Sequence, residues 1–337
     1  MKYFPYKICI VLSFILISCG KNSPTEPDHS VTYDIKVFCD TCGNDAPLTL
    51  IDSVYGNWPS FHPNWVTSFV SYSPDHRYIA GNCSIYSLGP NYRNVLIYDL
   101  LENRTVALLS NKSFPDWNPD GKCLAMITGG GSVEIFDMQT LTLNKVSIPI
   151  NGYGSKWTSD GEYILIGSFY NIDSSKDGIY RIRPDGTGLK YLFKEYTDNF
   201  FGVDTSTYIS IYNYGFIVYN KEDGTKKYHE IPYFASLPSK IQYADLSPDG
   251  EKIVCEVILK GGIDPGTRGL FVIDLKNLSI TKILDNFRYR PNFYPRWGSN
   301  STLLVSLFCV NEYSYTTWEI DLNGKLLKKL THINMEL

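Results

Sequence analysis

Two closely spaced cysteines are the first residues whose types and spacing could support a chemical function. Cys39-Asp-Thr-Cys42 has the spacing of a redox pair or of half a zinc site. No second cysteine pair or histidine cluster stands at the spacing that a structural zinc would require. We therefore favour a local disulfide between Cys39 and Cys42 in an oxidising compartment, with free thiols or a metal as the alternatives.

Catalytic motifs are missing from the sequence. There is no Gly-x-Ser-x-Gly elbow, so we expect no accompanying hydrolase domain. The five histidines are scattered, and no two of them have metal-ligand spacing. We therefore predict no catalytic residues, no metal site, no cofactor and a protein that is not an enzyme.

Composition limits the class of protein. The chain has 337 residues, of which 43% are hydrophobic and 20% charged, as in ordinary globular proteins. Aromatic residues make up 15%, with 26 tyrosines, and this content favours strands over helices. The formal net charge is −4, whereas nucleic-acid-binding domains are usually basic, so we expect no nucleic-acid partner.

The first 30 residues are typical of an exported protein. Lys2 and Lys7 precede an apolar run, Ile8 to Ile17, that is too short to span a bilayer but suits a signal peptide. Leu16-Ile17-Ser18-Cys19-Gly20 resembles the lipobox of bacterial lipoproteins. That resemblance implies cleavage before Cys19 and its lipidation, and Gly20 favours the outer membrane. An ordinary cleaved leader is the alternative. We assign residues 1–18 to the signal peptide and 19–30 to a polar, flexible tether.

An internal repeat organises the rest of the chain. Five segments align with one another: FVSYSPDHRYIAG from Phe69, FPDWNPDGKCLAMI from Phe114, YGSKWTSDGEYILIG from Tyr153, YADLSPDGEKIVCEV from Tyr243 and FYPRWGSNSTLLVSL from Phe293. One interval is close to two periods, and a degenerate copy, FFGVDTSTYISIY from Phe200, fits in its middle. We therefore count six copies.

Each copy predicts four short strands. An apolar or aromatic strand ends before a turn of the Ser-Pro-Asp-Gly type, and three further strands follow. Four strands per unit of about 45 residues is the signature of a propeller blade. We predict an all-β, six-bladed β-propeller of four-stranded antiparallel sheets, forming one domain over residues 31–337 with clear repeats over 69–331. Val31 to Val66 is expected to close the ring against the last blade, with a seventh blade as the alternative.

Aspartates recur at matching places near the ends of the third strands. They are Asp99, Asp137, Asp274 and Asp321. A ring of carboxylates could bind cations, but a role repeated in every blade favours capping of the next turn through backbone amides. The strand-end aromatics, such as Trp117 and Trp157, are expected to pack between neighbouring sheets.

The repeated turn, followed by a third strand that ends in aspartate, resembles the TolB-like, or PD40, repeat proteins. The fourth copy lacks its Pro-Asp-Gly and the last carries Gly298-Ser299-Asn300, both departures from that pattern. The resemblance implies a β-propeller that acts as an interaction hub in the bacterial envelope.

One face of such a disc is predicted to bind a partner. Loops between second and third strands and between blades are long and rich in Tyr and Arg, which are enriched at binding hot spots. The candidate residues are Tyr86, Tyr92, Arg93, Phe169, Tyr170, Tyr233, Phe234, Arg268, Arg288, Tyr289, Arg290, Tyr313 and Tyr315.

The sequence thus predicts a monomeric, lipid-anchored module in the periplasm or on the surface. It would bind an envelope protein, a peptide or a glycan without catalysis. A polysaccharide lyase or glycosidase that uses the central channel is the alternative.

Overall fold

The computed structural model describes residues 37–39, 49–51, 68–84, 93–102, 104–169, 173–195, 197, 199–204, 206–212, 214–236, 239–259, 267–287, 293–309 and 314–330. They form a six-bladed β-propeller in which each blade is built on four antiparallel strands, as the repeats predicted. The degenerate copy that begins at Phe200 is the fourth blade. Among the same residues, no helix is long and apolar enough to cross a bilayer.

Within each blade, the four strands follow one another in sequence order from the propeller axis to the outer rim. Two short N-terminal strands are β1 (Val37–Cys39) and β2 (Thr49–Ile51). The first blade contains β3 (Ser68–Tyr72), β4 (Tyr78–Ser84), β5 (Arg93–Asp99) and β6 (Arg104–Ser110). The second contains β7 (Lys112–Trp117), β8 (Cys123–Thr128), β9 (Val133–Asp137) and β10 (Thr142–Val146). The third contains β11 (Gly152–Trp157), β12 (Ile164–Ser168), β13 (Gly178–Ile182) and β14 (Lys190–Phe193).

The remaining blades have the same order. The fourth contains β15 (Phe200–Gly202), β16 (Thr207–Tyr212), β17 (Gly215–Asn220) and β18 (Lys226–Glu230). The fifth contains β19 (Ser239–Leu246), β20 (Lys252–Leu259), β21 (Thr267–Asp274) and β22 (Ile280–Phe287). The sixth contains β23 (Arg296–Ser299), β24 (Thr302–Cys309), β25 (Ser314–Asp321) and β26 (Leu326–Lys329). The described helices are α1 (Pro232–Ala235) and a 3₁₀ turn (Ser174–Lys176).

Packing between blades explains the composition of the strands. Every residue of β12 is buried, because both faces of that strand are covered by neighbouring sheets. The outer strand β18 is largely exposed and correspondingly charged. Trp117 packs with the first and second blades, Trp157 with the second and third, and Trp297 with the fifth and sixth. The strand-end aromatics therefore fill the space between sheets, as predicted.

The turns are built as the sequence indicated. The hydroxyls of Ser73 and Ser247 donate to the carboxylates of Asp75 and Asp249, at 2.5 and 2.6 Å. Gly250 follows with a φ of 74°, which a residue with a Cβ rarely adopts.

The repeated aspartates at the ends of third strands cap the next turns through backbone amides. The donors are Leu101 and Glu102 to Asp99, Gln139 and Thr140 to Asp137, Lys276 and Asn277 to Asp274, and Asn323 and Lys325 to Asp321. The capping interpretation is confirmed.

The expectation that the N-terminal strands close the ring is wrong. β1 pairs in parallel with β6 and antiparallel with β2, so the two strands extend the outer edge of the first blade. They form neither a closing strand nor a seventh blade. The physical reason is that β6 is an edge strand, whose free backbone groups gain partners from an added strand.

The first and last blades meet through side chains alone in the described part of the chain, since no strand of one sheet pairs with a strand of the other. The Tyr72 hydroxyl donates to Glu319 Oε2 at 3.1 Å. Val70, Leu304 and Leu330 form a buried cluster across the seam. The closure of the ring therefore depends on this packing.

We predict that Leu304→Ala destabilises the protein by about 2–5 kcal/mol, because it removes a side chain only 1% exposed at the seam. Leu327→Ala is the matched control, since Leu327 is 49% exposed in the same blade. Urea unfolding followed by tryptophan fluorescence measures both. A loss for Leu304→Ala no larger than that of the control would contradict the role of the seam.

The capping aspartates predict acid sensitivity. Hydrogen bonds from Thr140 and Lys325 amides hold the pKa of Asp137 and Asp321 below the ordinary 3.8. A lowered pKa in the folded state contributes stability that is present above 3.8 and is lost as the pH falls through the lowered value. The double variant Asp137→Asn, Asp321→Asn should therefore lose less stability than the wild type on acidification. Thermal unfolding between about pH 2 and 5 tests this, and parallel curves would refute it.

Candidate functional site at the propeller axis

One residue from each innermost strand lies at the axis: the residue before the last of the strand in the first five blades, and the first residue of β23 in the sixth. These residues form an axial ring of Ser71, Asp116, Lys156, Phe201, Asp245 and Arg296. Successive side chains of a strand point to opposite faces, so the following aromatic packs between the sheets. Four of the six ring members are charged, with two of each sign.

The four charges form a network that crosses the axis. Lys156 Nζ lies 2.9 Å from Asp116 Oδ1 and 3.2 Å from Asp245 Oδ1. Arg296 Nη1 lies 3.0 Å from Asp245 Oδ1 and 3.9 Å from Asp116 Oδ1. The second and third blades stand opposite the fifth and sixth, so the network links the two halves of the disc.

Both carboxylates also bind backbone of the next blade. Asp116 Oδ2 accepts the Trp157 amide at 2.7 Å, and Asp245 Oδ2 accepts the Trp297 amide at 3.1 Å. The innermost strand of a blade has no strand on its axial side, so these amides would otherwise lack a partner in a site that is mostly buried. The charges therefore have a structural role as well as a chemical one.

Burial sets the electrostatics of the ring. The four charged side chains are 7 to 17% exposed. Burial raises the pKa of Asp245, and the nearby Asp116 carboxylate adds to the shift. Burial alone would lower the pKa of Lys156, but attraction to Asp116 and Asp245 outweighs it and raises that pKa. Lys156 therefore stays charged.

A funnel of about 610 Å³ leads from solvent to the ring. Its mouth is formed by the turns between first and second strands, including Pro74, Ser159 and Asn300, and its walls include Trp117 and Trp157. This volume is within the usual range for small-ligand pockets. The mouth lies on the face opposite the long loops of the predicted binding face.

An aromatic layer lies beyond the ring and closes the axis. Phe69 contacts Phe114 at 5.0 Å, Tyr243 at 5.4 Å and Tyr294 at 4.6 Å between ring centroids. Tyr243 and Tyr294 are 4.6 Å apart. These rings come from four of the six blades, so among the described residues they obstruct the axis behind the charged ring.

Local backbone geometry aims these aromatics at the axis. Phe69, Phe114 and Tyr294 have φ values of 56°, 55° and 43°, which is unusual for bulky residues. The register of the first two strand pairs is irregular at the same places, as in a β-bulge. A bulge re-aims a side chain, and here it directs rings inward.

The predicted binding-face residues have varied positions. Phe169 and Phe234 are buried, Tyr233 is 47% exposed, and Arg268 pairs with Glu256 and donates to Gln242. Arg93 and Tyr315 lie on β5 and β25. Outside the described residues are Tyr86, Tyr92, Tyr170, Arg288, Tyr289, Arg290 and Tyr313, together with Cys19 and Cys42. The binding face, the Cys39–Cys42 disulfide (with Cys39 on β1) and the lipid anchor therefore stay predictions.

The ring was missed in the sequence, although a signal was present. Asp-Trp, Lys-Trp, Asp-Leu and Arg-Trp occupy matching positions of four repeats, and each places a charge directly before the apolar residue that precedes the turn. A charge at such a position indicates an axial location. In the described ranges, no group of three or more His, Cys, Asp and Glu residues is arranged to hold a metal ion.

Comparisons with known proteins found one curated relative and many solved structures of the same fold. No family model matches the chain. Dipeptidyl-peptidase 5 of Porphyromonas gingivalis is 26% identical over 149 residues, which are 44% of this chain but only 20% of the relative. An oligogalacturonate lyase in complex with manganese has a TM-score of 0.53 at 14% identity, covering 79% of this chain and 77% of its own. An acylaminoacyl peptidase of Pyrococcus horikoshii has a TM-score of 0.53 at 15% identity, covering 80% and 46%.

The structural likenesses establish the propeller fold. The prediction that the chain is not an enzyme is wrong, because the curated relative and these structural neighbours are enzymes. The missing motifs were a poor ground for that prediction, since propellers without a recognisable sequence signature can still carry or serve a reactive site.

We predict that Lys156→Met costs about 3 kcal/mol of stability, because it leaves two mostly buried carboxylates without their shared cation. Lys226→Met is the matched control, since its pair with Glu195 is more exposed and should change stability by less than about 1 kcal/mol. Adding Asp116→Asn to Lys156→Met should give a loss smaller than the sum of the two single losses. Equal losses for Lys156→Met and Lys226→Met in urea unfolding would contradict this.

Proposed function

We propose that this chain is the substrate-binding propeller of a peptide-processing enzyme and that the axial funnel receives the peptide. The observation that carries the proposal is the charged ring of Asp116, Lys156, Asp245 and Arg296 at the base of a ligand-sized funnel. A cleft that combines aromatic walls with a few convergent polar groups is the usual form of a binding site.

The chemistry of the funnel suits a peptide. Its walls include Trp117, Trp157 and Trp297, which pack between the sheets and leave 7 to 8% of their surface exposed as an apolar lining. Its base carries charges of both signs in equal number, so a ligand with both hydrogen-bond donors and acceptors fits better than a chain of a single charge. The sequence similarity to a dipeptidyl-peptidase and the shared fold of acylaminoacyl peptidases support this choice.

A glycan-active enzyme that uses the same funnel is the second candidate. The lyase neighbour matches over 77% of its own length, so most of that enzyme is a propeller. In this chain Asp116 and Asp245 share one ammonium group, and burial raises the pKa of Asp245. Two carboxyl groups in one pocket, one of them with a raised pKa, are what glycosidic bond cleavage uses.

Two tryptophan substitutions on the third blade separate the two faces of the disc. Ser159 is exposed at the mouth of the funnel, whereas Ser175 is exposed in the loop between β12 and β13 on the opposite face. We expect Ser159→Trp to weaken binding of the tetrapeptide Ala-Ala-Phe-Ala to the full chain by about tenfold or more, with Ser175→Trp unchanged. Isothermal titration calorimetry measures both.

Two results would overturn the peptide proposal. One is binding that survives Ser159→Trp but is lost in Ser175→Trp, which would favour the long-loop face. The other is a protein that does not bind the peptide but binds or cleaves oligogalacturonate, which would favour the glycan-active enzyme.

A further inference from the structure

Aromatic side chains obstruct the axis behind the charged ring among the described residues, and this limits how far a ligand can enter from the mouth of the funnel. The layer of Phe69, Phe114, Tyr243 and Tyr294 closes the axis directly behind the charged ring. An extended chain that enters along the axis cannot pass through the disc. Its end, rather than its middle, meets the ring.

The hydrogen bonds of the axial ring engage both oxygens of each carboxylate but only one nitrogen of Arg296. Both oxygens of Asp116 are engaged, by Lys156 and by the Trp157 amide. Both oxygens of Asp245 are engaged as well, by Lys156 and Arg296 on one side and by the Trp297 amide on the other. An incoming ammonium would therefore share oxygens that already accept hydrogen bonds, close to the cations Lys156 and Arg296.

Lys156 uses two of its three N–H groups on Asp116 and Asp245, and the other spare donors of the ring belong to Arg296 and Ser71. Among the residues that the structure describes, Arg296 donates hydrogen bonds only through Nη1, so Nε and Nη2 retain their N–H groups. The Ser71 hydroxyl is buried and has no hydrogen-bond partner within the described part of the chain. β3 and β23, which carry Ser71 and Arg296, lie side by side across the seam.

The free edge of a guanidinium matches a carboxylate. Nε and Nη2 form a planar fork that binds both oxygens of a carboxylate at once, and Arg296 is more than nine-tenths buried while lining the funnel. Cζ of Arg296 is also 5.8 Å from the ring of Phe69, which holds the guanidinium plane in place.

We propose that Arg296 and Ser71 form a clamp for the C-terminal carboxylate of a peptide, so that the funnel selects free C-terminal ends. This inference rests on the proposed function, because it assigns the substrate end that the same funnel takes. Arg296 donates two hydrogen bonds from its fork, and Ser71 donates a third. The peptide then extends outward along the aromatic walls toward the turns at the mouth.

Capped forms of one peptide test the clamp on the full chain by calorimetry. The probes are Ala-Ala-Phe-Ala as the free acid, with an amidated C-terminus, and with an acetylated N-terminus. Amidation should weaken binding at least tenfold, whereas acetylation should change it less than about twofold. Equal binding of acid and amide would overturn the clamp, as would a larger loss on acetylation than on amidation.

Variants assign the effect to the residues. Arg296→Lys keeps the charge beside Asp245 but removes the fork, so the preference for acid over amide should fall to less than about threefold, and Ser71→Ala should reduce it partly. Arg183→Gln is the control, since Arg183 is exposed on the third blade outside the funnel and should leave the preference unchanged. Thermal unfolding verifies that each variant is folded. An Arg296→Lys protein that is folded and retains the full preference would overturn the clamp.

Failure of the clamp and failure of the proposed function give different results. If all three peptide forms bind equally, the funnel takes peptides without reading their ends. A different result would be that no peptide form binds, whereas oligogalacturonate binds to the wild type and not to Arg296→Lys. Arg296 would then bind the carboxylate of a uronate, and both peptide proposals would be overturned.

Discussion

The innermost strand of each blade has a hydrogen-bonding neighbour on one side only, and much of this structure follows from that constraint. Backbone amides on the axial side must be satisfied by something other than a strand. Side chains of the preceding blade provide acceptors: Asp116 for Trp157, Asp245 for Trp297, and Asn199 for Ala244. Each bond fastens one blade to the next at the axis. Two of these acceptors, Asp116 and Asp245, are carboxylates that place negative charge at the axis, and Lys156 and Arg296 neutralise that charge.

The residues that hold the blades together also form the successive layers of the funnel along the axis. Turns with short, stereotyped geometry define the mouth, the tryptophans that separate the sheets form the walls, and the charged ring forms the base. Bulged strands at Phe69 and Phe114 direct aromatic rings beneath it. Scaffold and site share residues, so a substitution in the ring changes stability and binding together, and experiments must separate the two.

The fold was predictable from the sequence because its signals are local and repeated. Ser-Pro-Asp-Gly turns, alternating strands and capping aspartates such as Asp137 need only neighbouring residues, and repetition made even the degenerate blade at Phe200 recognisable. The axial site was not predictable in the same way. Lys156 and Asp245 are 89 residues apart, and only ring closure places them in contact. The left-handed backbone at Phe69 and Phe114 also has no sequence signal, since bulky residues rarely adopt it. The placement of β1 and β2 depends on an open sheet edge that sequence periodicity does not describe.

Each four-stranded blade is one uninterrupted stretch of sequence, with no strand borrowed across the seam in the described residues. Gene rearrangement can therefore copy or remove a whole blade without cutting a ladder of backbone hydrogen bonds. A change in blade number would instead alter the width of the central opening and the identity of the residues that meet there. Propellers built in this way can acquire new ligands by recombination of intact units, because the lining of the axis is set by one residue per unit.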